Sequence, residues 1–382
     1  MSELVTAARR LAPEFAERAQ EFEDLRRIPA DVSSQMAVAG FYRMFIPEAL
    51  GGLECPPAEA VEVFEVLATG DASCGWVAFI GATSGTALVR VPEAAARMIF
   101  AGPESLVTGV FAPSGRAELC DGGFQVSGRW QWGSGSENAD WILGGCLLRQ
   151  SGETVRSSQG VPQSHMLLFP KDAVQLLDTW HVSGLRGTGS TDFEVQDLFV
   201  PAEHAVGYLV RENPERPLYQ FPQFTLLALG IAAVTLGCAR GAIDDLVTLA
   251  ADKVRAGSSN ALINRPHTQM EIAKAEARLR SARAFYYDAL AAAWDLALQG
   301  EPVPVTQRRD LRLATTHAVG ASVEVVDAMY TLAGGSSVYQ ASALQRRFRD
   351  VHVATQHIMV ASSTLETLGR LYLGLETNTQ TL

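Results

Sequence analysis

Two histidines stand five residues apart in the stretch Arg-Asp-Val-His-Val-Ala-Thr-Gln-His at 349–357, inside a long run of helical periodicity. On an ideal helix that spacing turns the second ring about 140° from the first, whereas side chains sharing a metal ion stand three or four residues apart. His352 and His357 therefore read as separate groups, one free for structure and the other for chemistry. An imidazole with an ordinary pKa of about 6.5 gains or loses a proton near neutrality, so the chemistry on offer is proton transfer beside a reacting group.

The rest of the chain must position that ring. At 382 residues, 47% apolar and 19% charged, it can bury a large core and suggests two or three domains. The net charge of −11 is spread over both halves and Lys and Arg form no long block, which argues against nucleic acid or an anionic membrane and for a small-molecule partner. Cys55, Cys74, Cys120, Cys146 and Cys238 are widely separated and show no CxxC spacing, as expected of reduced, buried thiols in the cytoplasm. The N-terminus is an amphipathic, charged pattern without the apolar core of a secretory signal. The most apolar window, Phe224 to Ile243, is interrupted by Gly230, Gly237 and Arg240 and reads as a buried helix rather than a membrane span.

The pattern changes twice along the chain. Residues 1–105 carry helical periodicity and form an N-terminal α-helical domain. Residues 106–210 hold short apolar or alternating runs between Gly, Ser and Asp turns, the pattern of a central β domain. Residues 211–382 return to helix in four segments, near 222–256, 266–299, 305–332 and 342–373, which predict an antiparallel four-helix bundle.

Helices, then a β domain, then a four-helix bundle is an order that resembles the acyl-CoA dehydrogenase fold, an α+β multidomain architecture. Local stretches resemble it too: FIPEALGGLECPPAEAVEVFEVLATGDASCGWV its N-terminal segment, GRWQWGSGSENADW a first flavin-contacting strand, and DTWHVSGLRGTGSTDFEVQDLFVP a second. The stretch AGGSSVYQASALQRRFRDVHVATQH resembles the C-terminal signature of one branch, the two-component flavin-dependent monooxygenases. Together these cover residues 10 to 370.

The dehydrogenases of this superfamily use a carboxylate base, commonly a glutamate about eight residues beyond the equivalent of Arg349-Asp350. Here no acid occurs between Asp350 and Glu366, and around Gly237-Cys238-Ala239-Arg240 none occurs before Asp244. The monooxygenase branch has histidine in that window. The resemblance thus implies an oxygenase component that takes reduced flavin and O₂, forms a flavin C4a-hydroperoxide and hydroxylates a small aromatic substrate. His357 would sit at the reactive edge of the flavin, deprotonating a phenol or a heteroaromatic N–H, or managing the peroxide's proton. A hydrogen-bonded core histidine is the ordinary alternative, and it is the reading kept for His352.

The same resemblance assigns the other site residues. Ser134 would bond the flavin ring near its reactive nitrogen, where a hydroxyl can donate or accept as the redox state changes. Trp132 would stack on or wall off the ring. Thr188, Gly189 and Ser190 would form the second flavin-contacting segment, where small residues let backbone N–H groups approach. Gly334, Gly335 and Ser336 fall at the turn between the last two bundle helices, by the cofactor's pyrophosphate, although a ligand-free turn between helices is an equal alternative. Arg265 and Gln269 would hold the distal half of the cofactor from a neighbouring subunit, with a spacing that departs from the dehydrogenase pattern. Trp76, Thr83 and Ser84 would line the substrate pocket.

Relatives acting on phenols often carry a histidine in the segment equivalent to Gly81-Ala82-Thr83-Ser84. Its absence here favours an indole or indole-3-acetate type of substrate over a phenolate. The implied partners are an NAD(P)H-dependent flavin reductase, O₂ and further copies of the chain in a homotetramer, with FAD expected over FMN. An acyl-CoA dehydrogenase with an atypical base, an amino-sugar N-oxygenase and a non-catalytic flavin-binding member are the alternatives.

Overall fold

The structure, a computed structural model, describes residues 2–212, 214–254, 260–380 and 382. Six helices come first: α1 (Glu3–Glu17), α2 (Ala19–Leu25), α3 (Ala30–Val38), α4 (Pro57–Gly70), α5 (Ala72–Gly85) and α6 (Glu93–Ile99). Local chemistry sets their boundaries. Pro57 opens α4 at a position where the missing N–H costs nothing. The Asp71 carboxylate caps α5 by accepting from the N–H of Ser73 at 2.9 Å and of Cys74 at 3.1 Å.

Eight strands follow: β1 (Val107–Cys120), β2 (Gly123–Gly133), β3 (Trp141–Gln150), β4 (Glu153–Thr154), β5 (Ser164–Pro170), β6 (Gln175–Leu177), β7 (Thr191–Pro201) and β8 (Ala205–Val206). They form one sheet in the order β6-β7-β2-β1-β3-β5-β8, with β4 paired to β3. Only the β1–β3 pairing among these is parallel. The sheet closes around Trp130, fully buried, whose indole N–H donates to the Gly145 carbonyl at 2.7 Å and whose ring stacks on Phe193. Gly115 on β1 is required by this packing, because a Cβ there would lie 2.3 Å from the Trp130 ring.

The helical remainder comprises α7 (Pro217–Gln220), α8 (Gln223–Asp252), α9 (Pro266–Leu298), α10 (Val305–Ala333), α11 (Ala343–Ala354) and α12 (Ser363–Tyr372). Helix α8 is the axis of the molecule, packed by α4 and α5 on one side and α10 and α11 on another. Two stretches, Ala72–Arg90 and Gln223–Asp252, are long and apolar enough to cross a bilayer by length and composition, and 83% and 94% of them respectively is buried inside the fold. Cys120 is exposed, against the expectation of buried thiols, while the other four cysteines are buried.

Two helix expectations are corrected. Residues 255 and 256 of the expected 222–256 helix lie outside the described residues, and α8 ends at Asp252. The expected helix 342–373 is two helices, α11 and α12, broken over 355–362. Side chains compete with the helical ladder there. The Thr355 hydroxyl turns back to donate to the His352 carbonyl at 2.6 Å, and the Met359 N–H is taken by His357 Nδ1 at 3.2 Å. The break carries no Pro or Gly and holds the apolar run Ile358-Met359-Val360, so nothing in the sequence marks it.

Candidate active site

His357 lies in that break rather than on the helix that carries His352, so the 140° argument does not apply to the folded chain. The two rings are separated all the same. His352 Nε2 meets the Asp327 carboxylate at 3.0 Å and its ring lies against Phe348, a contact between α10 and α11. His357 packs edge-on against Trp76 of α5, ring centroids 6.0 Å apart. Burial lowers its pKa to about 4, and the Arg312 charge adds to the effect. The imidazole is therefore neutral at physiological pH. Because Nδ1 accepts from the Met359 N–H, the ring hydrogen of the neutral form belongs on Nε2.

Trp76 joins that ring to a row of buried hydroxyls. Its indole N–H donates to Ser134 Oγ at 3.1 Å. Ser134 Oγ lies 2.6 Å from Ser190 Oγ, which lies 2.6 Å from Thr188 Oγ1. The Thr188 hydroxyl donates to the Leu185 carbonyl at 2.8 Å. An indole N–H can only donate and a carbonyl can only accept, so every hydroxyl in the row donates toward Leu185. What Ser134 has left to offer a ligand is an oxygen lone pair.

Local structure sets this row. Ser134 follows β2, whose register slips between Trp130 and Gly133. At that slip Trp132 adopts φ +67°, a conformation that a bulky residue rarely takes, and 67% of its surface is exposed. Its expected role as a wall for a flat ring is compatible with that exposure; a place in the core is not. Thr188, Gly189 and Ser190 form the turn before β7, held by Gly135 N–H donating to the Thr188 carbonyl at 2.9 Å. Behind the turn stand the signature residues Arg349 and Asp350: Asp350 accepts from the Leu185 N–H at 2.6 Å and Arg349 donates to the Ser183 carbonyl and to Glu23. The motif on α11 thus holds the hydroxyl turn from behind. Burial, followed by the neighbouring Asp71 charge, pushes the Asp350 carboxyl well above the usual carboxylate range.

The remaining sequence candidates fall elsewhere. Thr83 shares a face of α5 with Trp76, but its hydroxyl is committed to the Phe79 carbonyl of its own helix at 2.7 Å. Ser84 is buried beside it. Gly334 and Gly335 are exposed, Gly334 at φ +55°, and a Cβ on either would meet nothing. Ser336 accepts from Lys253 Nζ at 2.7 Å. The Lys253 carbonyl in turn accepts from Leu262 N–H in the turn that leads to Arg265, so Arg265 and Gln269 belong to this same end of the bundle. Gln269 is exposed and donates to the Ile263 carbonyl at 3.1 Å. Within one chain, then, the candidates form two groups: Trp76, Ser134, Thr188, Ser190 and His357 in contact, and a second, open group at the α8–α9 and α10–α11 turns. Two surface clefts, one lined by Phe285, Asp288 and Tyr372 and another by Arg9, Thr69 and Asp245, contain none of them.

One residue escapes the sequence reading. Arg312 on α10 is only 4% exposed, and burial pulls its pKa down to about 10. Among the described residues its Nη1 reaches only the Met359 sulfur, at 3.9 Å, and its buried Nε has no partner. In the sequence it falls at helical spacing from Arg308 and Arg309 and looks like one more solvated charge.

A flavin fits the first group. The hydroxyl row presents an acceptor, and the strained, exposed Trp132 presents an aromatic face. Residues 2–97 match the family model for the acyl-CoA dehydrogenase N-terminal domain and residues 229–362 that for an acyl-CoA dehydrogenase C-terminal domain. The chain is 35% identical to an indole-3-acetate monooxygenase of Pseudomonas putida over 94% of its own length and 90% of that protein. It is 30% identical to a flavin-dependent monooxygenase, oxygenase subunit HsaA, of Rhodococcus jostii, over 91% of this chain and 92% of that one. Among solved structures, XiaF from a Streptomyces species, in complex with FADH2 and glycerol, superposes with a TM-score of 0.89 at 25% identity, covering 98% of this chain and 96% of that one.

Proposed function

Since the chain belongs to the acyl-CoA dehydrogenase family, in its branch of two-component flavin-dependent monooxygenases, we propose that it transfers one oxygen atom of O₂ to a small aromatic substrate of the indole-3-acetate type. The observation that carries this reading is His357, a neutral imidazole beside Trp76 and the hydroxyl row, where a dehydrogenase would keep a carboxylate. The identity to an indole-3-acetate monooxygenase supports the substrate class.

Bound reduced flavin supplies the electrons that activate O₂. The chain's own residues do the rest. Ser134 accepts a hydrogen bond from a ring N–H, with Ser190 and Thr188 holding its hydroxyl in place. Trp132 covers the ring's face. His357 offers the hydrogen on Nε2 to an oxygen atom, and the Met359 N–H at Nδ1 holds the ring in that tautomer. Of the roles open to it from sequence, managing a proton on oxygen suits this tautomer better than abstracting one from the substrate, because the lone pair a base needs is already engaged. Trp76 walls the pocket against His357; Thr83 and Ser84 lie further along the same helix.

FAD is the flavin we favour, because XiaF, which superposes over 98% of this chain, is described in complex with FADH2. The Gly334-Gly335-Ser336 turn, Arg265 and Gln269 are then left for its distal half, with a homotetramer supplying that group from a second subunit. Exposed Val338, Tyr339, Ile358 and Leu373 on the bundle support such an assembly. A separate NAD(P)H-dependent flavin reductase and a cytoplasmic setting complete the proposal.

The test is a mass measurement. Purified protein given chemically or enzymatically reduced FAD, O₂ and indole-3-acetate should yield a product heavier by one oxygen, labelled from ¹⁸O₂. Oxidised flavin bound to the protein should keep its colour when mixed anaerobically with acyl-CoA thioesters; prompt bleaching there, with no oxygenated product, would restore the dehydrogenase reading.

A further inference from the structure

Arg312 is a buried cation without a counter-ion among the described residues. A guanidinium taken out of water is retained at acceptable cost when an anion or several acceptors surround it. Among the described residues no carboxylate lies in an ion pair with Arg312, its Nε is sealed and unpartnered, and its guanidinium's one hydrogen-bond contact is to a thioether at 3.9 Å. That thioether belongs to Met359, whose N–H bonds the His357 ring, and the Arg312 charge is felt at His357. The unpaired guanidinium is therefore one residue removed from the proposed reacting group, at the joint where α10 meets the break between α11 and α12.

We infer that Arg312 is the specificity residue for a carboxylate carried by the aromatic substrate, so that the enzyme selects arylacetate-type anions over their neutral analogues. A planar fork of N–H donors matches a carboxylate's two oxygens, and the bond gains strength in a site closed to water. The contacts also set an order: Arg312 on α10, then Met359 and His357, and the Trp76–Ser134 row beyond them. A substrate anchored by its carboxylate at one end would bring its ring toward His357 and the flavin-facing hydroxyl. This rests on the oxygenase reading above and narrows its substrate class.

The experiment compares an acid with its isosteric amide. Dissociation constants for indole-3-acetate and indole-3-acetamide are measured anaerobically on the whole protein carrying reduced FAD, and oxygenated product is then quantified for both on admitting O₂. The acid should bind at least roughly 30-fold more tightly than the amide, in line with the loss of a charge-assisted bond. In Arg312→Gln the ratio should collapse toward one, and Arg312→Lys should keep part of it. Equal binding of acid and amide by the wild-type protein overturns the inference, and does so even where Arg312→Gln does not fold. A variant that weakens reduced FAD while leaving the acid-to-amide ratio intact overturns it as well, because the anion served would then be the flavin's. Oxygenation of the amide without preference for the acid sinks the carboxylate anchor and leaves the oxygenase reading standing. No oxygenation of either compound sinks both.

Discussion

At the scale of single residues, the site turns on one neutral ring and one unpaired charge. With His357 lowered to about 4 by burial and then by Arg312, its own titration should leave the oxygenation rate flat between pH 6 and 8. His357→Ala should slow product formation by roughly a hundredfold if the ring hydrogen is used in the reaction. His357→Gln, which restores an N–H donor, should recover part of that; identical rates for wild type and the alanine variant would reduce His357 to packing. Arg312→Gln removes a positive neighbour and should raise the His357 pKa, read as a shift of its ring protons in NMR pH titration. The ring also leaves a mark on stability. Its folded pKa lies below the unfolded value near 6.5, so the unfolded chain binds the proton first and stability is lost as pH falls from about 6.5 toward 4, by at most about 3 kcal/mol.

At the scale of elements, the α11 signature does two jobs at its two ends. Arg349 and Asp350 hold the 183–190 turn, and the chain beyond Ala354 leaves the helix to deliver His357. Asp350 has the opposite pH sign from His357. Its folded pKa is raised by burial and then by Asp71, so stability is present while the carboxyl stays protonated and is lost as pH rises through the folded value. Asp350→Asn keeps an acceptor for the Leu185 N–H and removes the titration. Its denaturant midpoint should therefore lose that decline between about pH 4 and 7, and an unchanged pH slope would show that Asp350 is ionised in the folded state. The hydroxyl turn itself was legible as a motif, but not its bonding. From sequence, Ser134 has a hydroxyl's freedom to donate or accept, and Thr188 and Ser190 count as small residues that free their backbone N–H groups; only the neighbours Trp76 and the Leu185 carbonyl show that all three side chains are bonded in one direction. The break at 355–362 was hidden because it contains neither Pro nor Gly, and the two hydrogen bonds that cause it involve side chains that periodicity does not weigh.

At the scale of the molecule, the order of helices, sheet and bundle was readable because hydrophobic period changes from 3.6 to 2 and back along the chain. What the sequence does not declare is how closely the parts approach. Gly237 on α8 lies so near α4 that a Cβ would stand 2.0 Å from the Glu65 carbonyl oxygen. Gly237→Ala should therefore force the two helices apart and cost about 3 kcal/mol, measured as a lowered denaturant midpoint. A loss under about 0.5 kcal/mol would mean that the α4–α8 contact yields easily. Arg312 was missed for a related reason: whether a helical arginine faces water or the core is decided by its neighbours in space, here α11 and the break that follows it.

The row from Trp76 to Leu185 has a polarity that cannot be reversed. One end is an indole N–H, which never accepts, and the other a peptide carbonyl, which never donates. Turning the Ser134 hydrogen toward a ligand would cost the bond it donates to Ser190. A ligand nitrogen that bears hydrogen is welcomed there, and one that bears only a lone pair meets another lone pair. Reduced and oxidised flavin differ at their reactive nitrogen in this very respect, so the row should act as a filter on oxidation state, retaining the reduced cofactor and releasing it once oxidised. Trp76→Phe, by freeing one end, should narrow the gap between the two affinities.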